Sequence, residues 1–506
     1  PDIEAIRAVR QLTLMFNKIL LPTSERRTRK AFNAYTQTDK EIRDWWINMH
    51  YGDGDSRVLV AFSAVATQLF GRIFSDLDVL VRDHEILPKH GPGATADRLR
   101  GNAKYDLTQW TYRLERDFPF GEFALPNWRY AYQLESVGFQ DPGTELPVKV
   151  ISVPKTLKTP RIIAIEPTAM QYCQQAMATS LVELIQRDGV LGDVIGFDDQ
   201  WPNRLSAKAG SIDGSLATLD LSDASDRVSN QLVRRLTPGP GYSFRAIQAC
   251  RSTRADVPGH GIIRLAKFAS MGSALTFPIE AMVFLTIIMV AIMKEEGATP
   301  GHAYTLLSKM RGEVRVYGDD IIVPVRYAAQ VSRELEAFGL KVNTKKSFWT
   351  GMFRESCGKE YFAGEDVSLV RCRRVFPETL ADASEIISLA EMRNQLYKAG
   401  LWTAVRGLDQ RLGELLMGDF PVVDPTSPIV GRHSFLGYQY TEKLDENYHS
   451  PLVRGYVKSS QPPVSKLDGM PALLKYFLKR GDDPYQDGHL ERQGRPVAVY
   501  LKRRMA

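Results

Sequence analysis

Residues 314–325 read VRVYGDDIIVPV, two β-rich apolar runs meeting at a Gly-Asp-Asp centre. Apolar runs joined through a short polar centre with Gly predict a hairpin, with Tyr317, Gly318, Asp319 and Asp320 at the tip of two antiparallel strands. Such a chain must bury both strands and leave two carboxylates at their end. Neighbouring aspartates repel at neutral pH, and a divalent cation between them is the usual way to keep both ionised. The tip therefore reads as a metal site with Asp319 and Asp320 both exposed. A solvated acidic turn is the plain alternative, and the apolar flanks argue against it. Residues 51–54, Tyr-Gly-Asp-Gly, show the contrast, because their flanks lack strand character and predict only a turn.

Other stretches carry chemistry around this tip. In KVISVPKTLKTPRIIAIEP (149–167), β-like segments at 148–153 and 161–165 bracket a Pro-bounded loop with Lys155 and Lys158, and Arg161 stands at its exit. Cations this close repel one another unless an anion such as a triphosphate neutralises them; a solvated loop accounts for the same residues equally well. In SLATLDLSDASD (215–226), an apolar strand ends in Asp220, and Asp226 follows once the chain has turned towards a helix. A carboxylate ending a buried strand can reach a neighbouring hairpin tip and add the third anionic ligand that two magnesium ions require. Asp223 reads instead as a charge at a helix N-terminus. In SMGSALTFPIE (270–280), Ser270 and Gly272 belong to a small-residue loop against which a nucleotide or template strand can lie. Thr276 and Glu280, four apart, share one helix face. Capping and core packing explain Ser270 and Thr276 nearly as well when each is taken singly.

The remaining pattern is scaffold. Residues 1–88 read as helical, with apolar positions at Ile6, Val9, Leu12, Met15, Phe16 and Ile19. The loop KHGPGAT (89–95) matches no phosphate-binding pattern and reads as a turn. The apolar run 281–293 is shorter than the roughly 20 residues of a membrane span and predicts a core helix. An amphipathic helix over 327–338 closes at Gly339. The return stretch 343–346 brings Lys345 and Lys346, and residues 353–361 read as a further β element. From about 373 the pattern is helical again and ends in the basic run 502–504, with Trp402, Tyr438 and Tyr440 suited to a stacking platform but read first as core positions.

A length of 506 residues predicts two to four subdomains, and a net charge of +6 favours a polyanionic partner. Cys173, Cys250, Cys357 and Cys372 show neither paired nor zinc-like spacing, which points to a reduced compartment. The histidines are scattered without a HExxH pattern, so neither catalytic zinc nor a Ser-His-Asp site has support. The chain begins at Pro1 with no secretory pattern.

In this order and at these distances, the segments KTPRIIAIEP, LDLSDASD, SMG followed by TF, VYGDDIIVP and FRESCGK resemble a viral RNA-directed RNA polymerase, and within that class the replicase catalytic (beta) subunit of positive-strand RNA bacteriophages of the levivirus type. The resemblance runs from about residue 89 to about 370. It implies that Lys155, Lys158 and Arg161 form the triphosphate-gripping motif F. Asp220 and Asp226 fall in motif A, Ser270, Gly272, Thr276 and Glu280 in motif B, and Asp319 and Asp320 in motif C. Lys345 and Lys346 fall in motif D, where one lysine protonates the departing pyrophosphate. Many RNA polymerases have Asn where Glu280 stands, and Glu280 is similar to the phage replicases.

The implied fold is α+β, a right hand with an antiparallel palm. Fingers and the N-terminal region would span 1–215, palm 216–237, a fingers insertion 238–265, palm again 266–372, and a mostly helical thumb 373–506. The implied metal ligands are Asp220, Asp319 and Asp320, holding two Mg2+ ions, with Mn2+ or Ca2+ able to substitute. The implied partners are single-stranded RNA template, product RNA, NTPs, the host elongation factors Tu and Ts and other host RNA-binding proteins, with no membrane, in the cytoplasm of an infected bacterium. Competing readings are a narnavirus- or mitovirus-like polymerase, a reverse transcriptase and a non-catalytic RNA-binding protein.

Overall fold

The strand Asp320–Pro324 lies in the middle of a three-stranded antiparallel sheet, between Leu216–Leu219 and Arg315–Tyr317. Ile321, Ile322 and Val323 are all buried, which is why this strand is an unbroken apolar run rather than an alternating one. The computed structural model describes residues 2–506 apart from 53–56, 157–158, 238, 440–442, 448, 451, 462 and 481–495. Residues 342–348 return alongside the Leu216–Leu219 strand, bridging Thr218 to Phe348 and Leu221 to Val342. The helices Thr276–Glu296, Val325–Ala337 and Trp201–Asp213 pack against this sheet. The first is apolar all round and is buried continuously from Pro278 to Met293, the fate of a helix with no polar face. It and Arg57–Arg82 are each long and apolar enough to cross a membrane; here Thr276–Glu296 is enclosed by protein.

A second sheet runs in the order Arg161–Ile165, Val148–Val153, Arg254–Val257, Gly261–Arg264, so two hairpins join through a short parallel pairing of Val148 with Ala255. The two strands around the Lys155 loop have the bounds expected of them. This sheet meets the Ser270 loop where the Ala164 amide donates to the Met271 carbonyl. Gly272 has φ 135, and a Cβ there would stand 1.9 Å from the Ala164 carbonyl oxygen, so only glycine fits this crossing.

The strands Phe353–Ser356 and Lys359–Phe362 form a hairpin through Cys357 and Gly358, at φ 47 and 74. Positive φ at both turn residues gives the turn whose twist matches the flanking strands. Buried Arg354 ties this hairpin to the central sheet, donating to the carbonyls of Leu216, Gly351 and Phe353. The helix Ile3–Leu14 straps across the segment that follows. Arg10 pairs with Glu360 at 2.8 Å, Gln11 donates to the Val370 carbonyl, and the Leu20 amide donates to Arg373. The helical reading of the N-terminus holds, but Val9 and Leu12 are 60% and 80% exposed, because this helix is held by polar contacts.

Three sequence readings need correction. The C-terminal region is mixed rather than mostly helical: Ala383–Lys398, Trp402–Leu415 and Gly469–Lys479 accompany a three-stranded sheet of Ile429–Val430, Arg454–Gln461 and Ala498–Met505. The basic end is therefore strand. Trp402 and Tyr438 are exposed rather than core, and Tyr440 lies outside the described residues. Asp223 stands at φ 52 in a turn before the short 3-10 segment Ser225–Arg227, not at a helix start. The Gly-rich loop is a structural turn, as expected, since its Gly91 and Gly93 carbonyls receive the Lys104 ammonium.

Replacing Arg354 with Leu leaves buried carbonyls without donors and is expected to lower unfolding free energy by about 2–4 kcal/mol. Denaturant titration followed by circular dichroism checks this; an unchanged midpoint would show the contacts to be dispensable.

Candidate active site

Tyr317 pairs with Asp320, so the hairpin turns through only Gly318 and Asp319. Gly318 takes φ 58 while Asp319 is not left-handed, the pattern of a turn with glycine at its first central position. A Cβ on Gly318 would meet the Phe277 ring at 2.5 Å. Phe277 in turn sits edge-on to Tyr317 and Phe197, and the Tyr317 hydroxyl donates to the Phe197 carbonyl, which fixes the tip from behind. Asp319 is exposed, as expected, and among the described residues it has no hydrogen-bond or ion-pair partner. Asp320 departs from expectation. It is half-buried, and its Oδ1 accepts from the Cys357 amide at 3.2 Å and the Ser356 hydroxyl at 3.3 Å. Burial, then the Asp319 charge, pushes its pKa up to about 6.

Asp220 follows the strand Leu216–Leu219, and continuing the register past Leu219 and Ile321 sets it opposite Asp320. Its carboxylate accepts from the Asn343 side chain at 2.8 Å and lies 3.7 Å from the Lys346 ammonium. Burial raises its pKa, Lys346 opposes that, and Asp319 adds to it. The sequence leaves Lys345 and Lys346 equivalent; both are exposed, and among the described residues Lys346 is the one that pairs with Asp220. On the other side, burial and then Arg161 and Lys346 lower the Lys155 pKa, while Asp319 and Asp220 oppose them. Arg161 is exposed at the start of its strand, and Lys158 lies outside the described residues.

A second polar group stands beside the tip. Asp226 pairs with fully buried Lys267 at 3.1 Å, and the Lys267 ammonium lies 3.5 Å from the centre of the Tyr35 ring. The Tyr35 hydroxyl meets buried Ser270 at 2.8 Å, and Thr276 donates to the Ser270 carbonyl. Glu280 is buried at the base of the turn, with one carboxyl oxygen lacking a partner among the described residues. Burial, then the charges of Asp319 and Asp226, raises its pKa well above the ordinary carboxylate value, which favours the protonated form. The arrangement thus brings Asp220, Asp319, Asp320, Lys155 and Lys346 into mutual electrostatic reach, and links Glu280 electrostatically to both Asp319 and Asp226. Sequence reasoning places Asn343, Ser356 and Cys357 within the matching segments 343–346 and FRESCGK without giving them a role, and misses Lys267 and Tyr35. Their roles have no local signature, because each acts on a carboxylate or hydroxyl distant in sequence.

Hard carboxylate oxygens are the donors magnesium prefers, and their mutual repulsion is the state a cation would relieve. Among the described residues, no three His, Cys, Asp or Glu side chains are already drawn together closely enough to hold an ion. The carboxylates face one another without forming a closed cage.

A family model described as RNA replicase, beta-chain, matches residues 144–417, a stretch that contains every strand and loop just described around the tip. The chain belongs to this replicase family. It is 36% identical over 262 residues to the RNA-directed RNA polymerase subunit beta of Qbeta virus (strain MX1), covering 51% of this chain and 39% of the relative. It is 34% identical over 310 residues to the RNA-directed RNA polymerase beta chain of Enterobacteria phage fr, covering 60% of this chain and 49% of that one. The chain thus spans less than half the length of these curated relatives. The RNA-dependent RNA polymerase of a human picorbirnavirus is similar over 54% of this chain and 57% of its own, with 12% identity and a TM-score of 0.38. The fold of this replicase-family chain is α+β, as the sequence implied.

The elevated Asp320 pKa gives a pH prediction with a definite sign. A carboxyl whose folded pKa is about 6, above the unfolded value near 4, binds more protons in the native state between those limits. Its contribution to stability is present below that window and is lost as pH rises through it. In chelator, Asp320→Asn should therefore gain stability over the wild type as pH climbs from about 4 to 6, with a constant difference above. Urea unfolding across pH measures this; parallel curves would refute the assignment.

Proposed function

We propose that the chain is an RNA-directed RNA polymerase that replicates a positive-strand RNA phage genome, joining NTPs on a single-stranded RNA template by nucleotidyl transfer. The observation that carries this reading is the meeting of Asp220 and Asp319 at neighbouring strand ends, with Lys346 on one carboxylate and the Lys155 loop electrostatically linked to both. Family membership supports it.

Asp220 and Asp319 would hold two Mg2+ ions, with Asp320 in support, and the ions would supply Lewis-acid stabilisation of the attacking and leaving oxygens; Mn2+ or Ca2+ suits the same donors. Lys155, Lys158 and Arg161 offset the charge of the triphosphate. Lys346, steered by Asp220, delivers a proton to the departing pyrophosphate, and Lys345 stays outside that step. Asp226, held by Lys267, faces the ribose together with Ser270, Gly272, Thr276 and Glu280.

We assign fingers to 1–215 and 238–265, palm to 216–237 and 266–372, and thumb to 373–506. The pairing of Arg254–Val257 with Val148–Val153 supports placing 238–265 with the fingers. The beta-chain description supports an assembly with other subunits, for which we assign host elongation factors Tu and Ts and other host RNA-binding proteins, in the cytoplasm of an infected bacterium.

Asp319→Ala is expected to cut magnesium-dependent incorporation of labelled NTP by at least about 1000-fold with an unchanged circular dichroism spectrum; full synthesis by the purified variant would overturn the site. Lys346→Ala should lower kcat about 100-fold and Lys345→Ala much less, a contrast read by single-turnover kinetics. Lys155→Ala and Arg161→Ala should chiefly raise KM for NTP, and unchanged NTP dependence in both would reduce the loop to scaffold.

A further inference from the structure

Among the described residues, the strand Ala498–Met505 forms the outer edge of the C-terminal sheet and pairs only with Arg454–Gln461. Alternation along a strand divides its side chains between two faces. Leu501 packs against the helical cluster that also holds Tyr456, and on that same face Arg503 is paired with Asp419 and Lys458 with Glu391. The opposite face carries Tyr500, Lys502 and Arg504. Tyr500 is 46% exposed and both cations are exposed. Among the described residues neither Lys502 nor Arg504 has a hydrogen bond or ion pair. Across the ladder, Arg504 stands opposite Gly455, over which the Ile429 side chain lies, Lys502 stands opposite buried Val457, and Tyr500 stands opposite Ser459, which offers a hydroxyl. Within this strand Arg503 is neutralised on one face, and Lys502 and Arg504 are left open on the other.

We infer that this outer face is a second docking surface, which receives single-stranded RNA along Tyr500, Lys502 and Arg504. Side chains two apart on a strand lie about 7 Å from one another, so the two cations and the ring form a row rather than a cluster. Phosphates pair with such cations, and an unpaired base stacks on an exposed ring, the combination by which single strands are held without sequence preference. Protection of an edge strand against aggregation explains exposed Lys and Arg but not an exposed Tyr in line with them. A duplex, whose bases are already stacked, makes no use of the ring.

The test is equilibrium binding of fluorescent oligouridylate to the full chain, without NTPs or divalent cations, across a salt series. The omission makes the result independent of the polymerase assay. Lys502→Ala with Arg504→Ala is expected to weaken binding about tenfold and to make the log–log salt slope shallower by about 1.4, since each phosphate contact on a single strand contributes about 0.7. Tyr500→Ala should weaken binding as well, and Tyr500→Phe should restore it. A charge-reversed pair, K502E with R504E, should bind weaker still, with thermal unfolding reporting that each variant folds. Wild-type affinity and slope in both charge variants would overturn the inference. So would an equal loss of binding to duplex RNA or to phosphatidylserine vesicles, because the surface would then attract any polyanion.

Discussion

Like charge held at the end of the central sheet is the constraint on which the rest of this structure turns. Asp220 follows the strand that ends at Leu219, where the register carried on one step sets it opposite Asp320, and Asp319 stands at the turn. Like charges facing across a ladder destabilise it, so the sheet must be held by other means. The buried Ile321, Ile322 and Val323 run and the wholly buried helix behind it supply the apolar area. Each carboxylate is then handled by a different later segment: Asn343 and Lys346 reach Asp220, and the Ser356–Cys357 turn reaches Asp320. Asp319 alone is left to solvent. The return segment and the second hairpin are therefore part of the site even though neither contributes one of its acidic groups.

That division also accounts for the build of the second hairpin. Its turn must present an amide to Asp320, and Cys357 does so from φ 47, a region non-glycine residues seldom enter. Buried Arg354 holds the hairpin to the strand that ends in Asp220, so the two carboxylates are positioned through one connected framework. The N-terminal helix adds its strap to the same framework through Glu360 and Val370.

Much of this was legible in the sequence, and the limits have physical causes. Hairpin tip, strand-ending Asp220 and the bounds of the Lys155 loop follow from apolar runs interrupted by turn chemistry, which are local properties. The core helix was legible because its residues are apolar on every side. By contrast, Asp320 was read as exposed because its partners, Ser356 and Cys357, lie far along the chain. The amphipathic spacing of Val9 and Leu12 misled because the helix docks through Arg10 and Gln11. The basic end at 502–504 was read with the helices before it, although Lys, Arg, Arg has no period of its own and takes its strand form from pairing with Arg454–Gln461.

The contrast between Asp226 and Asp319 completes the account of the site. A buried ion pair such as that of Asp226 with Lys267 adds little net stability, because desolvating both charges opposes their attraction. Here Lys267 also rests on the Tyr35 ring, whose hydroxyl is bound to Ser270, so the pair fixes the direction of one carboxylate relative to the small-residue loop. Among the described residues Asp319 has no such restraint, and its charge helps burial to raise the Glu280 pKa, which disfavours a further negative charge there. A carboxylate that orients a neutral hydroxyl benefits from being locked in place. One that must exchange water for a cation and its ligands benefits from being free, and under the proposed function Asp226 suits the first part and Asp319 the second.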